Sequence, residues 1–441
     1  MTKGATASEP VGAVERHHLS SWRALVQSFA QLSIGEVIAR GMGFVALVAM
    51  TRRLGPASFG VITLGVSLVL WIKIVVDSGT ETLNIREISR QPDRFREIAG
   101  KVLGLRLCLS AVAVVLFVPV ALLIVDDDRR TVSLFALVLP VLALNPRFMV
   151  LGLRAAKAVA IGNVAGQILF AAGVLLLVQG PDESFVVPLL MAAAELTYGM
   201  VVVVFVARRF GLPLPRVDVA AWRSALRGGL PLMVNQLAGG AAQSFGLVLI
   251  AVLLGSYSTG VYGAAYKPLF FFATLMALLG GSFLASYSAA GADQARELFH
   301  RTSGLALVGS SALALALSVG SGAFLSAAFG DDYTSGATAL SILAWMIPLI
   351  AVSITYGTVL IATGRQALLM RNNLVAALVN IASTAVAVPL AGIEGAATTA
   401  VLSSVLAAFL NHRTCVRLRL APSAGEMLGR AVTGARRLPA R

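Results

Sequence analysis

Six ionisable side chains stand in stretches that are otherwise apolar: Glu36, Arg40, Lys73, Asp77, Glu195 and Lys267. In "LVLWIKIVVDSG", residues 68–79, Lys73 and Asp77 lie one helical turn apart. Three of the six are basic, and Arg40, Lys73 and Lys267 together could bind an anionic headgroup. The three carboxylates, Glu36, Asp77 and Glu195, could balance that charge or carry a coupling proton or cation. A charge at the bilayer centre costs about 2.5–3.5 kcal/mol on insertion scales, so each should face protein or water and have a partner. Glu36 precedes Arg40 in the favourable order for a helical ion pair, whereas Lys73 precedes Asp77 in the less favourable one. Lys73 is therefore expected to look towards another helix. Lys267 has no acid in its own span and needs a partner from elsewhere or a ligand. Asn235 and Gln243, in "LPLMVNQLAGGAAQS", either line the same cavity or hydrogen-bond between helices. A plainer reading stands beside all of this: the charges neutralise one another and lock the first two helices together.

The elements that carry these residues follow from composition. The 441 residues are 57% hydrophobic and 13% charged, with a mean hydropathy of +0.84, which points to an all-α integral membrane protein. About twenty apolar residues cross the hydrocarbon core. Twelve such stretches are predicted, at 30–54, 59–83, 101–125, 131–153, 158–178, 186–207, 228–254, 260–284, 303–328, 337–362, 371–390 and 394–412. Of the 35 Lys and Arg residues, 28 fall on the face that holds both termini, four (Arg52, Arg53, Arg129, Arg130) on the other, and three inside spans. That asymmetry predicts cytosolic termini in a cytoplasmic membrane. The net charge of +14 belongs to these short segments rather than to a nucleic-acid surface, which would interleave aromatics with its basic groups.

Residues 1–29 read as a cytosolic N-terminal segment without a cleavable leader. Leu19, Trp22, Leu25 and Phe29 at helical spacing place part of it in the inner interface, or else make it an extension of the first span. The two cysteines, Cys108 and Cys415, are expected near the cytosol and reduced. The four histidines lack metal-ligand spacing, and there is no phosphate-binding glycine loop. No metal, cofactor or enzymatic role is expected. The "DDD" at 126–128 reads as a solvated loop.

"LGPASFGV" at 54–61 and "LGSYSTGV" at 254–261 match at five of eight positions with a constant offset of 200. Each joins the first two spans of a six-span set, and an even number of spans repeats in the same orientation. Two parallel six-helix halves then meet about a pseudo-twofold axis along the membrane normal. The predicted units are an N-lobe at 30–207, a basic linker at 208–227 holding Pro213 and Pro215, a C-lobe at 228–412 and a basic tail at 413–441. Prolines and glycine pairs inside many spans favour bending helices, as in a transporter.

The stretches "VALVAMTRRLGPASFGVITLGVSLV", "LRGGLPLMVNQLAGG", "LLGSYSTGVYGAAYKPL", "SYSAAGADQARELFHR", "ATGRQALLMRNNLVAALVN" and "VPLAGIEGAATTAVLSSVL" resemble the lipid-linked oligosaccharide flippases, the Wzx-like polysaccharide transporters of the MOP superfamily. That resemblance implies two six-helix lobes forming a V that opens alternately to either side. It implies a polyprenyl-diphosphate-linked oligosaccharide as cargo, the glycan crossing through a central cavity while the lipid tail stays in the bilayer. It places basic residues in the first, second and eighth spans, which here hold Arg40, Lys73 and Lys267. Many relatives carry an acid in the seventh span, where this chain has Gln243. Membrane lipids, glycosyltransferases or a polysaccharide polymerase are the implied partners of a monomer. A cation-coupled antiporter of the MATE type, using Asp77, Glu36 or Glu195, is the alternative. A non-transporting membrane partner that recruits glycosyltransferases is a third.

Overall fold

The computed structural model describes residues 11–124, 128–153, 155–289, 307–418 and 420. Helices account for almost all of them. In chain order these are α1 (Val11–Asp77), α2 (Glu81–Arg90), α3 (Phe95–Ile124), α4 (Arg129–Leu134), α5 (Val138–Ala143), α6 (Arg147–Gly152), α7 (Ala156–Leu177), α8 (Val186–Phe210) and α9 (Val219–Ala289). There follow α10 (Leu307–Val319), α11 (Ser321–Phe329), α12 (Ala337–Leu343), α13 (Met346–Ala362) and α14 (Gln366–Arg417). Val115, Leu123, Leu176 and Leu390 are all more than 70% exposed on this bundle, as lipid-facing side chains should be.

Three of the helices are too long to be straight. The 67 residues of α1 would reach about 100 Å at 1.5 Å per residue, three times the hydrocarbon core. Each turns back at a glycine. Gly55 sits at φ 70°, ψ 173° and Gly255 at φ 81°, ψ 179°, the same left-handed break in both repeats. Pro56 reinforces the first, because it lacks an N–H and disfavours helix at the residue before it. In α14 the break falls at Ala391 and Gly392. There Asn380 donates to the Ser403 hydroxyl at 3.0 Å and the hydroxyls of Thr384 and Thr399 lie 2.8 Å apart, so the two arms run antiparallel. Two further spans are bent, at 78° between α10 and α11 and at 41° between the 331–343 and 346–361 helices. Split at the three glycines, the helices are consistent with twelve spans. Residues 11–29 are helical and run unbroken into the first span, which favours the extension reading; their side chains lie outside those described.

The two repeats interlock at their turns. A Cβ on Gly60 would lie 1.8 Å from the Ser256 carbonyl oxygen, and one on Gly260 would lie 1.9 Å from that of Pro56. Both contacts keep the offset of 200, which is the reciprocal pattern of a twofold contact. Around them, Tyr333 donates its hydroxyl to the Thr51 carbonyl at 3.1 Å, and its ring packs edge-on against Phe59 with centroids 6.2 Å apart. Arg52 donates to the carbonyls of Ala327 and Ala328, the latter at 3.1 Å, at the end of α11. Arg53 donates to those of Leu175 and Val178 at 2.7 and 2.8 Å, at the end of α7. Both arginines thus satisfy the orphan carbonyls of a helix C-terminus.

The halves also meet at the other end of α1. The helix stops at Asp77 because Ser78 and Gly79 take left-handed conformations, φ 54° and 63°. A Cβ on Gly79 would sit 2.5 Å from the Gly229 carbonyl oxygen in α9. This shortens the second predicted span, expected to run to residue 83, and moves its charges. Measured from the turn at Gly55 along the helix axis, Lys73 and Asp77 lie about 27 and 33 Å down, at the far end rather than the midplane.

Candidate functional site

Asp77 occupies a helix C-terminus, where the helix dipole disfavours an anion. Its carboxylate is met by a residue that sequence analysis had placed in a cytosolic segment. Arg106, inside α3, is 3% exposed, and its Nη2 stands 3.1 Å from Asp77 Oδ1. The distance is that of an ion pair, although Nη2 is not aligned for a hydrogen bond. Its Nη1 donates to the Asn145 carbonyl at 3.3 Å, and the guanidinium lies 4.8 Å from the centre of the Phe148 ring.

Asn145 is the hub of this arrangement. It lies in the break between α5 and α6, where Pro146 interrupts the fourth span. Its side-chain oxygen accepts the Arg147 backbone N–H at 3.0 Å, and its side chain lies near the Glu195 carboxylate of α8. Lys73 lies near enough to Asp77 of its own helix and Glu195 of α8 to act electrostatically on both, and closes an ion pair with neither among the described residues. Arg147 Nε and Glu81 Oε1 close the group at 3.7 Å. Three cations and three carboxylates from five helices therefore gather at the far end of the N-terminal half.

Glu36 and Arg40 form a second group. Arg40 Nε stands 2.9 Å from Glu36 Oε1, with the side chains 47% and 29% exposed. Asn163 of α7 donates to Glu36 Oε2 at 3.0 Å, so the pair is anchored to its own half, and the other Arg40 donors have no partner among the described residues.

Lys267 stands apart. It is partly buried in α9 and follows Tyr266 in sequence, whose ring stacks on that of Tyr262 with centroids 6.0 Å apart. No acidic group pairs with it among the described residues. One turn further on, Phe271 packs against Phe44 at 6.3 Å, and Phe44 is one turn from Arg40. The first and eighth spans are thus neighbours across the two halves. Arg40 and Lys267 lie about 22 and 18 Å from their respective glycine turns, at comparable depth. Asn235 and Gln243 are in the helical stretch before Gly255, and their side chains lie outside those described.

Arg106, Asn145, Arg147 and Glu81 are not among the residues that the sequence singles out. Arg106 was counted with the basic cytosolic residues although it stands within the bounds of the predicted third span, 101–125, where a lone arginine demands a partner. Asn145–Pro146 is itself a breaker dipeptide that marks polar backbone inside an apolar run.

Twin halves that meet at glycine turns, built of helices long and apolar enough to cross a membrane, define a multi-pass membrane protein. The same fold is seen at 14% identity in an inward-facing multidrug-resistance MATE transporter of the MOP superfamily, with TM-score 0.68, covering 89% of this chain and 98% of that one. The lipid II flippase MurJ in an inward closed conformation aligns with TM-score 0.69 at 11% identity, covering 90% and 89%. A MOP transporter from Pyrococcus furiosus aligns with TM-score 0.57 at 15% identity, covering 89% and 95%. The chain belongs to the polysaccharide biosynthesis protein family, whose model matches residues 25–285, more than half its length. No curated protein shows significant sequence similarity to it.

Proposed function

We propose that this transporter flips a polyprenyl-diphosphate-linked oligosaccharide across a bacterial cytoplasmic membrane, with both termini cytosolic, by alternating access between an N-lobe and a C-lobe. The family's description as a polysaccharide biosynthesis protein supports this reading. The observation that carries it is Lys267, a cation with no acid paired to it among the described residues, on a span that adjoins Arg40 across the halves. A diphosphate is the ligand such a pair of cations fits, through charge-assisted hydrogen bonds. Lys73, nearer the end of its span, would meet the anionic headgroup at entry, while Asp77 and Glu195 restrain it when no ligand is present. The lipid tail would remain in the bilayer and the glycan would pass between the lobes.

Depletion of the protein should leave labelled lipid-linked glycan on the inner leaflet, and reconstituted vesicles should restore its outward transfer. Unchanged transfer in vesicles lacking the protein would end the proposal. Lys267→Ala removes one charge-assisted contact worth about 1.5–3 kcal/mol, so flux should fall roughly ten-fold or more while expression holds. A collapse of expression would instead assign Lys267 a structural role.

A second reading, a MATE-type cation-coupled antiporter, draws on the buried carboxylates Asp77 and Glu195. Drug efflux abolished by Asp77→Asn would favour it.

A further inference from the structure

The segment between the two halves is built in a way that transport does not explain. Residues 211–218 run extended along the start of α3. The Arg216 N–H donates to the Gly100 carbonyl at 2.9 Å, and the Trp222 indole donates to that of Lys101 at 3.0 Å. Lys101 Nζ stands 3.0 Å from Asp218 Oδ2, and Asp218 Oδ1 accepts the Ala221 N–H at 2.9 Å to cap α9. The strap is thus pinned to the N-terminal half by its backbone, its tryptophan and its one acid.

Most of its other large side chains face outward. Leu214, Val217 and Val219 are 66%, 81% and 68% exposed. At about 100° per residue, Val219, Arg223, Leu226 and Leu230 share one stripe of α9, with Arg227 at one edge, while Trp222, Gly229 and Ala225 follow one another round the other flank. Arg208, Arg209, Arg216, Arg223 and Arg227 are all exposed, and the only acid in the segment, Asp218, is already paired. Exposed aliphatic groups interleaved with exposed arginines, none paired with an acid among the described residues, form an amphipathic interfacial surface. The aliphatic groups sink to the acyl boundary and the arginines snorkel to headgroups.

We propose that residues 208–230 form an interfacial strap that binds the anionic headgroups of the adjacent leaflet. The position requires it to lie at a membrane surface, since it joins the end of α8 to the span that follows. The excess of positive charge selects an anionic surface over a zwitterionic one. Each basic residue near such a surface contributes about 1 kcal/mol, or roughly five-fold in affinity.

The test uses the full chain with Val217→Cys as the single labelled site, after Cys108→Ser and Cys415→Ala, carrying a polarity-sensitive fluorophore. In vesicles of phosphatidylcholine with phosphatidylglycerol, emission should shift to the blue and be quenched by spin-labelled lipid. Both effects should weaken in phosphatidylcholine alone, at high salt, and in Arg223→Gln/Arg227→Gln. Equal quenching by iodide from water in every composition would overturn the proposal. So would a blue shift indifferent to phosphatidylglycerol, or one seen only when a soluble cytosolic protein fraction is added. A thermal melt of each variant confirms folding, and the readout does not depend on what the protein transports.

Discussion

Arg106 Nη2 stands 3.1 Å from Asp77 Oδ1, and this contact ties the third span to the end of the second. Removing one member of a buried pair strands the other, typically at a cost of about 3–5 kcal/mol. Asp77→Ala should therefore lower thermal stability in detergent sharply, and Asp77→Ala/Arg106→Leu should recover much of the loss. A double-mutant cycle on melting temperatures checks this, and simple additivity would show that the two do not interact.

The turns make a matched prediction. Gly60→Ala and Gly260→Ala each place a methyl group on opposing backbone, at 1.8 and 1.9 Å, which no side-chain rotation can relieve. Overpacking of this kind costs about 1–3 kcal/mol or more, and the two variants should be hurt equally. Gly199→Ala, with nothing within 4 Å of the added group, is the control and should be neutral or mildly stabilising. Yield of monodisperse protein after purification is the measurement.

Tyr333→Phe deletes the hydroxyl that reaches Thr51 across the halves, a loss of about 1 kcal/mol. Because Arg52 bridges the same halves through α11, Arg52→Ala/Tyr333→Phe should widen the distance distribution between spin labels on the two glycine turns. An unchanged distribution would show that the contacts do not hold this end together.

The Asp218 carboxylate is held below its ordinary value of 3.8, first by the Ala221 N–H and then by Lys101. A depressed value means that folding favours the charged form, so the stabilisation is complete above the unfolded value and is lost as pH falls through the folded one. Trp222 reports on this strap. Its fluorescence should stay constant from neutral pH down to about 5, then change at lower pH, and Asp218→Asn should abolish the step.

The repeat was legible because turn chemistry is local: two glycines 200 residues apart take nearly the same left-handed angles, and the letters around them say so. The helical ion pair of Glu36 and Arg40 was legible for the same reason. Arg106 was not, because hydropathy locates a span to within a few residues and a basic residue near its edge reads as part of the loop. Whether Asp77 lies at a midplane or a helix end depended on Ser78, a non-glycine residue at φ 54° that no spacing rule announces. The Asn145 hub depended on which helices pack together, and that information is nonlocal.

The handclasp of Gly60 with Ser256 and Gly260 with Pro56 has a further bearing on how the chain can vary. Each tip is the mould for the other, so neither can acquire bulk unless its counterpart recedes in step. Two hairpins separated by 200 residues are bound to a single shared allowance of space, much as identical subunits are across a symmetric dimer interface.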